Sequence, residues 1–423
     1  MILTKTDFIQ YLNCPKSLWF LKRDPDHYPY GEFSTFMQKL VREGYQVEHY
    51  VQQLFTSDVS RDVSFQAEFK TDDGLYARVD ALENMRDGTT ALYEIKSSTS
   101  VKTDSKHNHI KDACFQKICA ERAGQKIDRV FLVHLNGNYV RQGDINPDDM
   151  LVFADITEAV NVAMEETSDE IDAALEFLAS NQKLDGCSCV EKTRSNHCDA
   201  FAVLNPDIPT PSIYSLPRIS ESKINEFRAM GIVELDALPN GIVLTDSQRL
   251  VVNSFKDGEP KIDVMAINAF LSGLHFPLYF FDYETFSSAV PLFDGASPHK
   301  HFPVQYSLHI LEKDGSLAHR EYLERQARFP QNLIKQMQDD FGEVGSVVSW
   351  HASFEKTQNL EMSLMYPDKE YFLLDINERM MDLEDVFKTA YVDAKFEGST
   401  SIKKVLPVVC PSLNYDDLHV KDG

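Results

Sequence analysis

Hydrophobic and polar positions alternate most clearly at residues 75–96, LYARVDALENMRDGTTALYEIK. Period-two alternation on either side of Asp87-Gly88 predicts two short strands joined by a tight turn, with Glu94 and Lys96 on one face of the second. Asp80 lies on the first. Helical periodicity surrounds this pair. Residues 6–24 predict two short helical stretches interrupted at Cys14-Pro15, residues 35–55 a longer helix, and residues 112–123 another. An apolar strand is expected over 129–135 and an amphipathic, Ala- and Glu-rich helix over 157–181. The order helix, strand, strand, helix, strand predicts an α/β domain.

Beyond residue 205 the pattern changes. Residues 206–218, PDIPTPSIYSLPR, are proline-rich and predict a linker. A pair of short helices flanking Met230-Gly231 is expected over 219–240, similar to a helix–hairpin–helix or a plain helical spacer, followed by a connector over 242–276. Two further strands are predicted, one in PLYFFDYETFS and one in VVSWHASFEKT, where the strand enters a helix. The expected organisation is therefore a first domain over 1–205, a linker with a small helical segment over 206–276, and a second α/β domain over 277–423.

A chain of 423 residues has ample length for two to three cores. With 43% hydrophobic and 26% charged residues its composition is that of an ordinary globular protein. It has no apolar run approaching the roughly 20 residues of a membrane span, and its start, MILTKTDFIQYLN, lacks the apolar stretch of a signal peptide. A cytoplasmic location is expected, in which seven cysteines act as thiols or metal ligands rather than disulfides. The net charge of −24 argues against a broad nucleic-acid-binding surface. Residues 97–126 run the other way, with six Lys/Arg against three acids, and with His107 and His109 in addition.

Three groups of residues carry candidate chemistry. Asp80 on one strand, with Glu94 and Lys96 on the next, supplies two carboxylates for a hard cation and an ammonium to orient water or steady charge on a phosphate. Glu48, four residues after Gly44 on the predicted helix, can point toward the sheet. The second group is CSCVEKTRSNHC, with Cys187, Cys189 and Cys198 gathered in a polar segment where packing alone does not explain them. Cys14 is the natural fourth ligand and His197 the competitor, which would suit zinc; the spacing departs from the usual zinc patterns and favours an iron–sulfur cluster. The third group is Asp282 and Glu284, two apart on a strand and so on one face, with Glu355 in the segment VVSWHASFEKT that begins about 65 residues later.

The first group resembles the PD-(D/E)xK nuclease superfamily, with Asp80, a gap of 13 residues, then Glu94-Ile95-Lys96. One cysteine before that core and three after it resembles the iron–sulfur members of the RecB-like nucleases, including CRISPR-adaptation nucleases and the AddB helicase–nuclease subunit. Glu48 falls where those families carry a helical His or Glu, and Gln116 where they carry the glutamine of a Q-x-x-x-Tyr motif; Ala120 replaces the tyrosine. The third group resembles the DnaQ-like DEDD exonucleases of RNase H-like fold, with Asp282 and Glu284 as the first motif and Glu355 where the second has aspartate. Asp382 matches an aspartate that often follows a strand in such folds. Asp416 and Asp417 are expected to be surface charges. With no further aspartate on a late helix, the resemblance implies either truncation before the last helix or a degenerate second site.

The whole chain is similar to an uncharacterised bacterial family that fuses the two domains, and GSTSIKKVLPVVCPSLNYDDL resembles its carboxyl-terminal signature. The resemblance implies a metal-dependent, exonuclease-like chemistry; the expected function is hydrolysis of DNA, or RNA, in repair, processing or defence. Mg²⁺ or Mn²⁺ would be held by Asp80, Glu94 and Glu48, with Cys14, Cys187, Cys189 and Cys198 around a 4Fe–4S cluster, or alternatively Zn²⁺. The contrasting expectation is a non-catalytic scaffold whose acidic surface recruits a protein partner.

Overall fold

The expected strand pair at residues 75–96 forms the middle of a six-stranded mixed sheet. In the computed structural model, residues 1–31, 34–104 and 107–415 are described. Lys106 of the basic strip, and Asp416 and Asp417, lie outside them. The chain divides into two compact units: Met1–Val190, Asn196–Pro206 and Ser287–Lys300 in the first, and Glu191–Ser195, Asp207–Phe286 and His301–Gly423 in the second.

The first unit runs β1 (Leu3–Thr4), α1 (Lys5–Asn13), α2 (Pro15–Arg23), α3 (Thr35–Ser57), β2 (Asp62–Lys70), β3 (Leu75–Asn84), β4 (Thr90–Ile95) and α4 (His109–Arg122). It continues with β5 (Arg129–Leu135), the single turn α5 (Pro147–Met150), β6 (Leu151–Asp155), α6 (Thr157–Ala179) and the short α7 (Phe201–Leu204). The predicted helices and strands stand within a few residues of their expected bounds. The sheet also contains β2 and β6, which no prediction covered, although Val63, Phe65, Ala67 and Phe69 alternate in β2.

Strand β3 pairs antiparallel with β2 along one edge. Its other edge is shared, with β1 parallel at Leu75 and Tyr76 and β4 antiparallel from Ala81 to Asn84. Strand β5 runs parallel to β4, and β6 antiparallel to β5. Helix α3 covers one face through Val47, Val51 and Phe55, which pack on Ala81, Ala91 and Tyr93. Ala289 and Val290, from the segment Ser287–Lys300, join the same cluster. Helix α4 covers the other face, with Ala113, Cys114 and Ala120 against Val79, Leu92 and Leu132. Val79 and Ala81 are two apart yet pack on opposite layers, so the facing of β3 changes at Asp80. Opposite this point Gln66 has a φ of +54° and, together with Asp80, is passed over by the ladder, which keeps the same register on both sides.

The second unit contains α8 (Glu221–Ala229), α9 (Asp246–Asp257), β7 (Lys261–Ile262), α10 (Val264–Ser272), β8 (Leu278–Phe286), β9 (Phe302–Leu311) and β10 (Leu317–Leu323). There follow α11 (Gln331–Asp340), β11 (Ser346–Ser349), α12 (Ser353–Met365), α13 (Glu370–Arg379), β12 (Met380–Asp382), β13 (Tyr391–Val392) and α14 (Ile402–Val409). Its sheet has the order β10-β9-β8-β11-β12, with β9 antiparallel to both neighbours and β11 and β12 parallel to β8. Tyr279, Phe281, Tyr306, Leu308 and Val347 are buried in its core with Leu333 and Met337 of α11.

Residues 219–240 hold one helix among the described residues, α8, rather than the expected pair. Gly231, at a φ of +73°, ends it, and the turn-forming Pro239-Asn240-Gly241 follows before a second helix can start. The stretch expected as a connector carries α9, opened by a Thr245/Gln248 capping box, and α10. No described helix is long and apolar enough to cross a membrane.

Candidate functional site

In β3, Asp80 sits one residue beyond the last rung of the β3–β4 ladder, and its Oδ2 accepts the Ile95 backbone N–H at 2.8 Å. Glu94 is 1% exposed, and polar groups reach it from α1, from the end of its own strand and from α4. Lys5 Nζ, in the first turn of α1, lies 2.6 Å from Oε1, and Lys96 Nζ lies 2.8 Å from the same oxygen. Gln116 of α4 donates from Nε2 to Oε2. Lys96 also reaches Asp112 Oδ2 at 2.6 Å, one turn before Gln116 on the same helix. Glu48 of α3 is half-buried, accepts from Gln52 at 3.1 Å and from Gln66 Nε2, and contributes to the field at Asp80.

The electrostatics separate the two strand acids. Burial and the neighbouring Glu94 carboxylate push Asp80 up to about 7. Burial would raise Glu94 as well, but the ammoniums of Lys5 and Lys96 outweigh it and hold this carboxyl well below the usual range. Lys96 is raised, because Glu94 and Asp112 outweigh its desolvation. His109, at the start of α4, is pushed down to about 4 by burial and by Lys96. Buried acids facing one another are the electrostatic setting in which a divalent cation is favourable. Gln116 Oε1 is a buried acceptor without a hydrogen-bond partner, a further unmet demand at the same place. The residues present therefore fit a hard cation.

A cleft of about 680 Å³ opens over this cluster, lined by Lys5, Lys96, Lys102, His109, Asp112 and His299 among others. Its charge is locally basic despite the acidic chain. Of the expected residues, Asp80, Glu94, Lys96, Glu48 and Gln116 converge. Lys5, Asp112 and Gln66 were not anticipated as neighbours. The Thr4/Asp7 capping box that opens α1 and the four-residue spacing of Asp112 and Gln116 are the sequence signals that could have found two of them. Gly74 helps place Lys5. Its φ is +102°, a Cβ there would lie 2.7 Å from the Met1 carbonyl, and its own carbonyl accepts the Leu3 N–H at 2.9 Å.

Cys14, Cys187, Cys189 and Cys198 come together with their Sγ atoms all within 4.8 Å of one another, and all four are buried. Cys14 follows α1 directly, and the other three belong to the irregular segment before α7. Asn205 Nδ2 donates to Cys187 Sγ at 3.4 Å. His197 is not in the set; its ring stacks on Phe201 with centroids 3.5 Å apart. Four thiols so close cannot all ionise without a compensating cation, so this buried donor set can hold a metal.

In the second unit, Asp282 and Glu284 lie on β8, and Glu355, 2% exposed, lies in the first turn of α12. Burial pushes Glu355 up to about 7, with Asp282 adding to it; Asp282 is also raised by burial, and a hydrogen bond to Glu355 opposes this. Glu355 Oε2 is a second buried oxygen without a partner. Asp382 Oδ1 accepts the backbone N–H groups of His351 and Glu384, both at 3.0 Å, so it anchors a loop. Glu384, which no prediction covered, binds His351 Nδ1 at 2.9 Å, Lys388 at 2.9 Å and Thr400 Oγ1 at 2.5 Å.

A family described as "Domain of unknown function (DUF2779)" matches residues 279–401. No curated protein matches the chain. Among solved structures the chain is similar to an alkaline exonuclease, LHK-Exo, from Laribacter hongkongensis, at 14% identity over 42% of this chain and 91% of that one, with a TM-score of 0.27. The same enzyme in complex with dAMP matches at 17% identity over 42% and 88%, with a TM-score of 0.28. The structure named SSO0001 matches at 17% identity over 41% and 76%, with a TM-score of 0.25.

Proposed function

We propose that the first unit is a Mg²⁺- or Mn²⁺-dependent nuclease that hydrolyses phosphodiester bonds of DNA, exonucleolytically on single-stranded or end-containing substrates. The observation that carries this reading is the convergence of Asp80, Glu94, Lys96 and Gln116, drawn from two strands and a helix, beneath a basic cleft. Asp80 and Glu94 would hold the ion, with Glu48 at its margin. When bound, the ion would polarise the phosphoryl group and make water acidic enough to attack near neutral pH. The protein supplies the rest. Gln116 fixes the Glu94 carboxylate, Asp112 holds the Lys96 ammonium over the cleft, and that ammonium orients water and balances charge developing on the phosphate. RNA fits the same chemistry and is an arm of the test.

The four cysteines would staple the N-terminal helices to the segment at 187–198 around a 4Fe–4S cluster, a reading supported by the order of one cysteine before the core and three after it. A specific observation favours the zinc alternative. Metal–sulfur bonds of about 2.3 Å in a tetrahedron put neighbouring sulfurs about 3.8 Å apart, inside the 4.8 Å within which all four Sγ atoms lie. The second unit is proposed to be RNase H-like and related to the DEDD exonucleases. Its strand order, with the second strand antiparallel to the rest, and the meeting of Asp282 with Glu355 support this. Protein partners for the acidic surface belong to the scaffold alternative.

The test is cleavage of 5′- and 3′-labelled single- and double-stranded DNA, and of RNA, with Mn²⁺ by wild type, Lys96→Ala and Asp282→Ala. Loss in Lys96→Ala alone assigns the activity to the first unit. Absence of any metal-dependent product would leave the scaffold reading in its place.

A further inference from the structure

Glu94 already has a cation on it. Two ammoniums, from Lys5 and Lys96, converge on one carboxylate oxygen, Oε1, at 2.6 and 2.8 Å, while Gln116 holds the other oxygen. A carboxylate saturated in this way has no lone pair left at Oε1 for a hard ion, and a dication brought there would meet two positive charges at contact distance. One ammonium must withdraw before an ion can be coordinated through that oxygen. The two are not equivalent. Lys96 has a second carboxylate, Asp112 Oδ2 at 2.6 Å, and can keep it when Glu94 is taken over. Lys5 makes its ion pair with Glu94 and lines the cleft, with its side chain 28% exposed, so it has an open path away from the site.

We propose that Lys5 is a placeholder cation: its ammonium occupies the ion's position on Glu94 and is displaced into the cleft when the divalent ion binds. The inference rests on the reading of Asp80 and Glu94 as ion ligands, and it adds a consequence for how that ion is admitted. With Lys96, Lys5 compensates the buried Glu94 carboxylate, which would otherwise carry a large desolvation cost. The same contact sets a threshold on ion concentration, because every binding event must break it. Lys5 is thus a positioning residue that controls occupancy of the site, outside the set that would coordinate the ion. Its place in the first turn of α1, fixed by the Thr4/Asp7 capping box and by the pairing of β1 with β3, keeps the ammonium at Glu94 rather than free in solvent.

The experiment is Mn²⁺ binding to the full chain, read as free Mn²⁺ by electron paramagnetic resonance, which needs no substrate and no turnover. Wild type, Lys5→Met, Lys5→Gln, Lys5→Arg, Lys102→Met and Glu94→Gln are compared. Lys102 lines the same cleft without an ion pair to Glu94, so its loss removes an equal charge and no placeholder. The expected result is binding about tenfold tighter in both neutral Lys5 variants, wild-type affinity in Lys5→Arg, and a change of about twofold or less in Lys102→Met. Unchanged or weaker binding in both Lys5→Met and Lys5→Gln, or equal tightening in Lys102→Met, would overturn the placeholder. If Glu94→Gln binds Mn²⁺ as wild type does, it is the ion-site reading itself that fails.

Discussion

Replacing His109 with glutamine removes an acid-sensitive component of the first unit's stability. The His109 ring is 5% exposed, its Nδ1 accepts the Lys102 backbone N–H at 3.1 Å, and its own backbone N–H donates to the Lys102 carbonyl at 2.9 Å. That pairing places the ring proton on Nε2 and keeps the imidazole neutral. Burial and the nearby Lys96 push it down to about 4, against about 6.5 in an unfolded chain. A folded value below the unfolded one means that the unfolded state takes up the proton first. Stability is complete above about pH 6.5 and falls as pH drops toward 4. The gap corresponds to at most about 3 kcal/mol; because the ring borders an open cleft, screening by water leaves about 1–2 kcal/mol.

The assay is urea unfolding at about pH 7.5 and about pH 4.5, with tryptophan fluorescence as the signal. The chain has two tryptophans, so a Trp350→Phe background leaves Trp19, whose Nε1 donates to the Ser180 carbonyl within the first unit, as the reporter. Carboxylates also titrate over this range, so the relevant quantity is the difference between the acid losses of the His109 protein and of His109→Gln. Wild type should lose about 1–2 kcal/mol more than the variant. Equal losses would show that His109 is not held neutral by this site.

Two further outcomes follow from other parts of the molecule. Cys189→Ser should abolish stoichiometric metal binding at the cysteine set and lower the first unit's stability, with visible absorption near 400 nm in anaerobically prepared wild type marking a cluster and colourless protein with one zinc marking the alternative. In the second unit, hydrogen bonds from Thr400, Lys388 and His351 hold Glu384 down to about 2 against the effect of its burial. That stabilisation is present above the unfolded value of about 4.5 and is lost as pH falls toward 2. Glu384→Gln should therefore flatten this acid limb, followed through Trp350 in a Trp19→Phe background; an unchanged limb would contradict the assignment.

Much of the site was legible because the chemistry is carried by local spacing. Strand alternation over 75–96 put Glu94 and Lys96 on one face, helical spacing let Glu48 point toward the sheet, and Gln116 was reached through its resemblance to the Q-x-x-x-Tyr motif. The cysteines of a polar segment pointed to a shared ligand, and the structure brings Cys14 to it from 173 residues away in sequence. What was not legible depends on tertiary placement. The β2–β3 ladder is interrupted at Gln66 and Asp80, where β3 changes facing and the Asp80 carboxylate reaches the Ile95 N–H. Lys5 reads as an ordinary polar residue at a helix start; only the pairing of a two-residue strand, β1, with β3 carries it to Glu94. Glu384 becomes part of a network through a loop that Asp382 anchors, which no periodicity announces.

Glu94 is proposed as the buried carboxylate of a phosphodiester-cleaving site. Mn²⁺-dependent release of end label from single-stranded DNA under single-turnover conditions, compared between wild type and Glu94→Gln, tests it most directly. The geometry predicts that the nearly isosteric amide slows cleavage by about a thousandfold or more while the first unit remains folded. Cleavage by Glu94→Gln within about twofold of wild type would remove Glu94 from the reaction.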